Sequence, residues 1–380
     1  MKSCTELLQA LVQIPSINPE GASPEALETG HYGELALAQY LAPLLSEAGF
    51  EVTLEEVEPK RPNLIARAPG SNDRPRILFG PHLDTVGIEN MTIPPFGAEI
   101  RDGKLWGRGA SDTKGTMASM IWGLIQNADK LAQAPVALDF VAFMGEETRQ
   151  LGAKHFAKHH GEEYEFAIAG EPTKLQIVHC TKGCIWGTFS SAGVAVHASQ
   201  PTLGENAIHK LLKALPAIEA GLEQKFETQE HTVLGRSTWN LGLIEGGVRP
   251  NVVPDQASFT VDIRTIPALW AEGGAAPLLQ RLANAQNLKF SYYEESPPMD
   301  VSAEHPWILA IQEAHPQSAC VGAPWFSDAA HLNAGGIPAI CLGPGDIAQA
   351  HTEDEYITLE DLEGGATYFT TLISALTEPT

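Results

Sequence analysis

Acidic and imidazole side chains follow directly after several strand-like runs of this sequence. His82 and Asp84 come after one apolar run, and Glu146 and Glu147 come after another, residues 136–144. Such places occur five times along the chain, at residues 82–84, 112, 146–147, 171 and 346–351. Histidine nitrogens and carboxylate oxygens bind zinc and similar metals, and an α/β sheet collects its site beyond the carboxyl ends of its strands. The sequence therefore predicts a metal site at one edge of a sheet.

Each of these places, taken alone, has an ordinary structural explanation. A single histidine at a strand end is usually structural or exposed, Asp112 would serve as a helix N-cap, and Glu146 and Glu147 would begin a helix with a favourable charge. Glu171 stands before a proline and would be a loop acid. The joint pattern favours a site, because all five places fall where an α/β sheet gathers one.

The elements that must position these residues alternate between strand and helix over the first 180 residues. Leu7, Leu8, Leu11 and Val12 recur at helical spacing and predict an amphipathic first helix. Residues 136–144 are nearly all apolar, as expected of a strand buried on both faces. Further strands are predicted at residues 50–57, 63–68, 76–80 and 166–170. The alternation predicts an α/β fold, a mixed sheet covered by helices.

The middle of the chain has a different order of elements. Strand, helix, strand, strand, helix and strand are predicted in turn, at residues 184–196, 206–222, 237–244, 253–264, 270–285 and 288–294. This order is a split-βαβ, or ferredoxin-like, unit that could fold by itself. We therefore predict a first domain that begins and ends the chain, with the second inserted into it; the boundaries are 1–182, 183–296 and 297–380.

Charge and cysteine content exclude some classes of function. The 380 residues carry a formal net charge of −23, and such a surface repels nucleic acid and anionic membranes. The five cysteines are odd in number and lack zinc-ribbon spacing, so we expect reduced thiols. The first fifteen residues lack a signal-peptide apolar region, and no apolar run reaches 18 residues. A cytoplasmic protein is the expectation.

The motifs around the five places resemble the M20 family of zinc peptidases and deacylases, which includes acetylornithine deacetylase and succinyl-diaminopimelate desuccinylase. The matching segments run in family order over nearly the whole chain. They are residues 80–86 (GPHLDTV), 106–115 (WGRGASDTKG), 145–147 (GEE), 170–173 (GEPT), 197–201 (HASQP) and 343–356. The inserted unit also matches the family's lid and dimerisation domain. The resemblance implies a zinc-peptidase-like catalytic domain with a ferredoxin-like lid.

The resemblance implies a pair of Zn²⁺ ions, for which Co²⁺ or Mn²⁺ can substitute. Five residues would hold them: His82, Asp112, Glu147, Glu171 and His351. His82 and Glu171 would belong to one ion, Glu147 and His351 to the other, and Asp112 would bridge the two.

Catalysis would then depend on residues beside the metals. The resemblance makes Glu146 the general base, which would take a proton from a water whose pKa the zinc pair lowers towards about 7 and return it to the leaving amine. Asp84 lies on the same side of an extended chain as His82 and would orient its imidazole. The resemblance also implies a cis peptide bond between Asp112 and Thr113.

Substrate contacts would come from the lid and from the loops of the first domain. By resemblance, His197 would stabilise the oxyanion, often across a dimer interface, although a structural histidine is the alternative. Arg264 would grip the substrate carboxylate, or else form a salt bridge on the strand face. Asn251 would contact substrate, and Ser327, Asp328 and Gly343 would line the pocket. A homodimer through the lid domain follows from the resemblance alone.

The reaction is predicted more firmly than the substrate. We expect hydrolysis of an N-acyl amino acid, in the manner of acetylornithine deacetylase, with partners limited to small acyl amino acids or short peptides. Succinyl-diaminopimelate desuccinylase, dipeptidase and carboxypeptidase activities stay open, and so does the native metal. A catalytically inactive binding protein on the same fold and a two-metal phosphatase are the alternatives from other classes.

Overall fold

The computed structural model describes residues 2–70 and 73–378 and divides into two compact units. The first unit comprises Met1–His179, Val301–Val321 and Ser327–Thr380. The second unit comprises Cys180–Asp300 and Gly322–Phe326. The segment 183–296, which the sequence predicts as an inserted lid, lies inside the second unit. Its role as a lid or dimerisation domain stays a prediction.

The chain forms sixteen strands and twelve α-helices among the described residues. The strands are β1 (Glu51–Glu58), β2 (Arg61–Arg67), β3 (Arg76–Pro81), β4 (Glu99–Arg101), β5 (Lys104–Trp106), β6 (Ala137–Ala142), β7 (Phe166–Gly170), β8 (Ile177–Thr181), β9 (Gly183–Ala192), β10 (Thr238–Gly246), β11 (Gln256–Thr265), β12 (Lys289–Ser296), β13 (Met299–Asp300), β14 (Cys320–Ala323), β15 (Ala339–Cys341) and β16 (Tyr356–Thr358). The helices are α1 (Cys4–Val12), α2 (Pro24–Leu27), α3 (Leu35–Glu47), α4 (Lys114–Gln126), α5 (Ala128–Leu131), α6 (Leu151–His160), α7 (Ala207–Phe226), α8 (Pro267–Ala271), α9 (Ala276–Ala285), α10 (Pro306–Ala314), α11 (Asp328–Ala334) and α12 (Leu359–Thr377).

A mixed sheet forms the centre of the first unit. Its strand order is β1-β2-β6-β3-β7-β15-β8. Strand β3 runs parallel to β6 and β7, and β15 runs parallel to β7, whereas β1 and β2 are antiparallel. Every residue of β3, β6 and β7 is buried, which explains why their sequences are almost entirely apolar. The two charged members, Arg76 and Asp139, form a buried ion pair with each other. The predicted fold class is confirmed.

Helices cover this sheet and build its core. Helix α1 has Leu7, Leu8, Leu11 and Val12 buried, as their spacing predicts, and Ser3 caps it by accepting the N–H of Glu6. Helix α4 packs between α1 and α12, while α3 packs on β1 and β2. The core therefore lies between the helices and the sheet and holds the loops after the parallel strands in place.

A separate three-stranded sheet, β16-β5-β4, joins two distant parts of the first unit. Antiparallel pairing of β5 with β16 places Trp106 opposite Tyr356. The segment that follows Trp106 therefore lies beside the segment that precedes Tyr356. The sequence did not predict this sheet, because its strands are only three residues long.

The second unit contains the predicted order of elements, β9, α7, β10, β11, α8–α9 and β12. Its sheet has the order β10-β11-β9-β12 with antiparallel pairing throughout, and its helices pack on one face around Phe189, Phe259 and Leu211. The inserted ferredoxin-like fold is confirmed.

One helix of the second unit differs from the prediction. The sequence predicts a single helix over 270–285, whereas the structure breaks it into α8 and α9. Gly273 and Gly274 separate them with φ angles of +103° and +81°, a left-handed backbone that favours glycine. A side chain on Gly274 would lie 2.6 Å from the Glu295 carboxylate, which instead accepts the N–H of Ala275. The apolar spacing continues through the break and hides it.

Two other expectations bear on the whole chain. All five cysteines are free thiols, in agreement with the prediction. None of the helices within 2–70 and 73–378 has the length and apolarity that a bilayer crossing requires.

Candidate metal centre

His82 begins the site directly after β3. Its Nδ1 lies 2.8 Å from the backbone carbonyl oxygen of Asp84. A carbonyl oxygen only accepts, so Nδ1 carries the proton and the ring orientation is fixed. Nε2 then points at the Asp112 carboxylate, 3.1 Å from Oδ1. This is the arrangement of a metal-binding histidine, whose other ring nitrogen is anchored by an acceptor.

The carboxylate of Asp84 makes its hydrogen bonds to partners other than His82. Its Oδ1 is 3.7 Å from His82 Nδ1, and the carbonyl of the same residue makes the hydrogen bond. The carboxylate instead accepts the backbone N–H groups of Glu146 (3.0 Å) and Glu147 (3.1 Å) and the Asn18 side-chain amide (2.7 Å). Asp84 therefore ties the loop after β6 to the loop after β3. A buried carboxylate satisfies three donors in this way.

Asp112 faces two imidazoles with its two oxygens. Oδ1 lies 3.1 Å from His82 Nε2, and Oδ2 lies 3.5 Å from His351 Nε2. The peptide bond between Asp112 and Thr113 is cis, as the resemblance implied. One carboxylate between two imidazoles is the placement that a bridging ligand requires.

Glu147 and His351 form the opposite side of the cluster. Glu147 Oε2 lies 2.9 Å from His351 Nε2, and Oε1 accepts the N–H of Val86 at 3.1 Å. The His351 side chain is 55% exposed, so this side opens to solvent. His351 also has a φ of +63°, a left-handed conformation that costs a non-glycine residue on the order of 1–3 kcal/mol. The fold holds this histidine in place against that cost.

Three of the predicted ligands converge closely. One ligand atom each from His82, Asp112 and Glu147 lies within 4.8 Å of the others, which makes them a group that could hold a metal ion. Glu171 follows β7, is buried, and is close enough for the charges of Asp112 and His82 to act on it. Glu146 is also buried, and its pKa responds to the charge of Glu171.

The electrostatics of the cluster indicate an excess of negative charge. Burial raises the pKa of Glu146 well above its ordinary value, and the charge of Glu171 raises it further. Burial and the charge of Asp112 likewise raise the pKa of Glu171 well above normal and that of Glu147 to about 7. Such carboxyls resist ionisation together because each repels the others in a poorly solvated place. A divalent cation would offset that repulsion.

The same carboxylates favour the protonated, positively charged form of the two histidines. Hydrogen bonds to Asp112 and Glu147 raise the pKa of His351 to about 10. Burial opposes protonation of His82, but the bond to Asp112 and the charge of Glu146 raise its pKa well above the ordinary value. Imidazole nitrogen and carboxylate oxygen are the donors that zinc prefers outside thiolate sites. The residues present therefore fit a metal centre.

Asp328, which was expected beside Ser327 only as a residue of the pocket wall, is a further buried carboxylate whose pKa responds to the charge of His82. It is 2% exposed, and neither carboxylate oxygen has a hydrogen-bond partner among the described residues. Burial, first of all, raises its pKa to about 8. Its burial could not be recognised in the sequence, because an acid that follows an N-cap serine usually begins a helix at the surface.

Glu355 was given no role in the sequence, yet it holds the Asp112 loop. It is 1% exposed, and its carboxylate accepts the N–H groups of Gly109, Ser111 and Asp112 and a guanidinium N–H of Arg108. Burial raises its pKa, against the opposing effects of these donors. In the sequence it stands in an acidic run, and every residue of that run is expected to lie on the solvated surface.

His197 and Asn251 lie together in the second unit. A bridge pairs His197 with Val252, and the carbonyl of Asn251 accepts the N–H of Ala198 at 3.0 Å. His197 Nδ1 accepts the N–H of Ser199 at 3.2 Å, which leaves the proton of the neutral ring on Nε2. Both predicted residues are exposed. The imidazole therefore presents an N–H donor to solvent.

Arg264 is paired within its own sheet. Its Nε and Nη2 donate to the two carboxylate oxygens of Asp262, at 2.8 and 2.9 Å. Asp262 also accepts the indole N–H of Trp186 at 2.8 Å, although Trp186 is 66% exposed. This is the strand-face salt bridge that was the alternative in the sequence. Binding of the substrate carboxylate by Arg264 stays a prediction. It would require the guanidinium to bind the substrate and Asp262 at the same time.

Ser327 and Gly343 are both buried. The Ser327 hydroxyl lies 3.1 Å from the Cys341 thiol, so contact with substrate would require it to be uncovered. Gly343 packs against the loop that carries Glu171, where a Cβ atom would lie 2.6 Å from the Glu171 carbonyl oxygen and 2.3 Å from Thr116 Oγ1. Glycine is needed here for close approach of two loops.

Comparison with known proteins assigns this arrangement to a family. A model described as peptidase family M20/M25/M40 matches residues 78–375. The acetylornithine deacetylase of Proteus mirabilis is 30% identical over 377 residues, which cover 94% of this chain and 92% of that protein. The chain belongs to peptidase family M20/M25/M40. As a member of M20 it is a metal-dependent hydrolase of linear amide bonds.

Solved structures of the M20 fold agree with the architecture. A metallo-carboxypeptidase of the family from Sulfolobus solfataricus superposes with a TM-score of 0.79 at 17% identity, covering 99% of this chain and 100% of that one. A dinuclear metal-binding M20 peptidase from Bacillus subtilis has a TM-score of 0.68 at 16% identity, covering 98% and 96%. At these identities the likeness shows the fold alone.

Proposed function

We propose that this M20 hydrolase is a two-zinc deacylase of N-acyl amino acids, with N-acetylornithine as its leading substrate. The observation that carries the proposal is the buried group of His82, Asp112 and Glu147 with His351 beside it. Support for the substrate comes from the full-length similarity to an acetylornithine deacetylase. No specific observation favours a peptide substrate over an acyl amino acid.

In this proposal five residues hold the metals: His82, Asp112, Glu147, Glu171 and His351. Asp112 is shared, because its two oxygens face His82 and His351 separately. When bound, zinc supplies Lewis acidity towards an amide carbonyl and towards water. The native metal is proposed as Zn²⁺, and Co²⁺ or Mn²⁺ would substitute on the same donor set.

Glu146 would move the proton. Burial first, and the charge of Glu171 second, raise the pKa of Glu146 well above its ordinary value. A carboxylate of raised pKa is a stronger base and a better acid near neutral pH than an exposed one. Its carboxylate would accept a proton from water and return it to the amine nitrogen as the amide bond breaks. Asp84, which accepts the N–H of Glu146, would position it.

Residues of the second unit would contact the substrate. His197 presents an N–H donor at Nε2, which could bond to a developing oxyanion. Arg264 would bind the free carboxylate of the amino acid and Asn251 would add a polar contact. Ser327 and Gly343 belong to the same proposal as residues of the pocket wall.

The second unit would also form a homodimer. Strand β10 lies at the edge of its sheet, and Leu243 and Ile244 on it are exposed, as is Val248 nearby. An exposed apolar edge strand offers backbone groups and apolar area to another copy. A cytoplasmic location is proposed because a reducing compartment keeps five free thiols reduced.

Amine release from a substrate panel tests the proposal. Metal-depleted and zinc-restored enzyme would be given N-acetylornithine, other N-acetyl amino acids, N-succinyl-diaminopimelate, several dipeptides and an aryl phosphate. Zinc-dependent release of ornithine supports the proposal, whereas preferred cleavage of succinyl or dipeptide substrates would replace the substrate and keep the chemistry. Zinc binding without hydrolysis of any compound would favour a binding protein. Hydrolysis of the aryl phosphate alone would favour a phosphatase.

A further inference from the structure

The loop that presents Asp112 turns its backbone N–H groups towards one point. The N–H groups of Gly109, Ser111 and Asp112 all reach a single carboxylate, at 2.9, 2.9 and 3.0 Å. Successive backbone N–H groups in turn conformations form a concave site for an anion. In this protein the anion is a side chain of the chain itself, that of Glu355.

The carboxylate fills this site completely. Oε1 accepts Ser111 and Asp112, while Oε2 accepts Gly109 and a guanidinium N–H of Arg108 at 2.8 Å. Glu355 is 1% exposed, so water does not compete for these bonds. Each oxygen therefore serves two donors, and a neutral amide in its place would leave one pair of donors facing an NH₂ group.

Glu355 arrives from the segment that carries His351, four residues earlier. Its backbone carbonyl accepts the N–H of Gly107 at 3.0 Å, and the adjacent Tyr356 pairs with Trp106 across β5 and β16. Both the backbone and the side chain of Glu355 thus bind the Asp112 loop. Residues more than 240 positions apart are joined at this point.

The joined segments contain backbone with positive φ angles. His351 has a φ of +63°, and Gly107 and Gly109, with φ of +153° and +79°, give the Asp112 loop glycine flexibility. Despite this, His351 Nε2 lies 3.5 Å from Asp112 Oδ2 and 2.9 Å from Glu147 Oε2. A residue that binds both segments directly would keep these metal ligands in their relative positions.

We propose that Glu355 is a positioning residue that binds the Asp112 loop to the His351 segment and so preorganises the two for metal. The inference rests on the proposed function, which makes Asp112 and His351 ligands of the same metal. Glu355 touches no reacting atom and acts only through these two residues. It sets the affinity of the metal that Asp112, Glu147 and His351 share.

The test uses Glu355→Gln, with Glu353→Gln as the matched control. Glu353 belongs to the same segment, but its side chain is exposed. Zinc would be titrated into metal-depleted protein by calorimetry, and Co²⁺ spectra would report the ligand environment. We expect two ions in the wild type and in E353Q, and a second ion bound 10–100-fold more weakly in E355Q, the usual effect of losing a residue that orients a metal ligand. Excess zinc should then restore kcat with KM unchanged.

A merely structural role would not produce this pattern. If E355Q binds both ions with wild-type affinity, or if excess zinc does not restore kcat, the positioning role is wrong while the proposed function stands. If the wild type itself binds no pair of metal ions, the proposed function fails and this inference with it.

Hydrogen exchange provides a second test that needs no variant. In the metal-free wild type the amides of Gly109, Ser111 and Asp112 should exchange slowly, because Glu355 protects them before metal binds. Fast exchange of these amides in metal-free protein would overturn the proposal even if E355Q does not fold.

Discussion

Replacing Glu146 by Gln should remove catalysis and leave the metal centre intact. The backbone of Glu146 is held at both ends, since its N–H donates to Asp84 at 3.0 Å and its carbonyl accepts the side-chain amide of Gln150. Neither bond uses the carboxylate of Glu146. Gln has nearly the same shape, so the loop and the neighbouring Glu147 should keep their positions.

The size of the effect follows from the role of the carboxylate. An amide cannot accept a proton from water, and loss of a positioned general base slows a reaction roughly 10²–10⁴-fold. That factor corresponds to about 2.7–5.4 kcal/mol of transition-state stabilisation, at about 1.36 kcal/mol per tenfold. The free energy of unfolding should not fall, because the substitution removes one of several mutually repelling carboxyls. Burial raises the pKa of Glu146 well above normal, and repulsion from the charge of Glu171 raises it further.

The assay measures hydrolysis and zinc content in the same preparations. Ornithine release from N-acetylornithine would be followed for the wild type, E146Q and Glu162→Gln, whose side chain is exposed. We expect wild-type rates in E162Q, a loss of at least two orders of magnitude in E146Q, and equal zinc content in all three. Retained activity in E146Q would remove Glu146 as the base. Loss of zinc together with activity would show instead that it is a ligand.

Three further predictions follow from the same geometry. Replacing His197 by Ala should slow hydrolysis about 10²–10³-fold with zinc content unchanged, because its N–H donor is lost; an unaffected rate refutes the oxyanion role. Replacing Asp84 by Asn should lower the free energy of unfolding, measured in urea, by about 1–3 kcal/mol, because one buried donor loses its acceptor; an unchanged midpoint contradicts this account. Zinc binding should release protons, because bonds to Asp112 and Glu147 raise the pKa of His351 to about 10 in the metal-free protein and a ligand histidine must be neutral. Zinc affinity should therefore rise with pH below 10, and calorimetry in buffers of different ionisation enthalpy would detect the released protons. By the same shift, His351 stabilises the metal-free fold fully below pH 6.5 and loses this contribution as pH rises through 10.

Sequence patterns were sufficient for the elements that carry the metal centre. The apolar runs before His82 and Glu146 lie on central strands buried on both faces, so their length and composition leave little choice of structure. Strands β3 and β6 are parallel neighbours and bring their following loops to one edge, which is why His82 and Glu147 could be placed together in advance. Asp112 follows β5 of the separate three-stranded sheet, so its place beside them came from the resemblance. Identification of individual ligands came from the family resemblance rather than from spacing.

Partners across long sequence separations could not be predicted. Glu355 stands among exposed acids, and only the pairing of β5 with β16 shows which of them is buried. Asp84 was expected to orient His82 because both lie on one side of a strand. The structure gives that task to the Asp84 carbonyl and turns the carboxylate to Glu146 and Glu147.

Two other features could not be predicted because the neighbouring residues in the sequence allowed a second interpretation. Arg264 is separated by one residue from Asp262, and a strand places both on the same face, where they pair. The sequence left this salt bridge open as an alternative to substrate binding. The break between α8 and α9 falls inside continuous apolar spacing, so only the positive φ angles of Gly273 and Gly274 reveal it.

Titration of zinc into metal-depleted enzyme, with N-acetylornithine hydrolysis measured at each step, decides whether this protein is a two-zinc deacylase. We expect two bound ions per chain, activity that rises with their addition and is lost on chelation, and no activity in E146Q at full zinc occupancy. Hydrolysis that is unchanged by removal of all metal would show that catalysis by this protein does not depend on zinc.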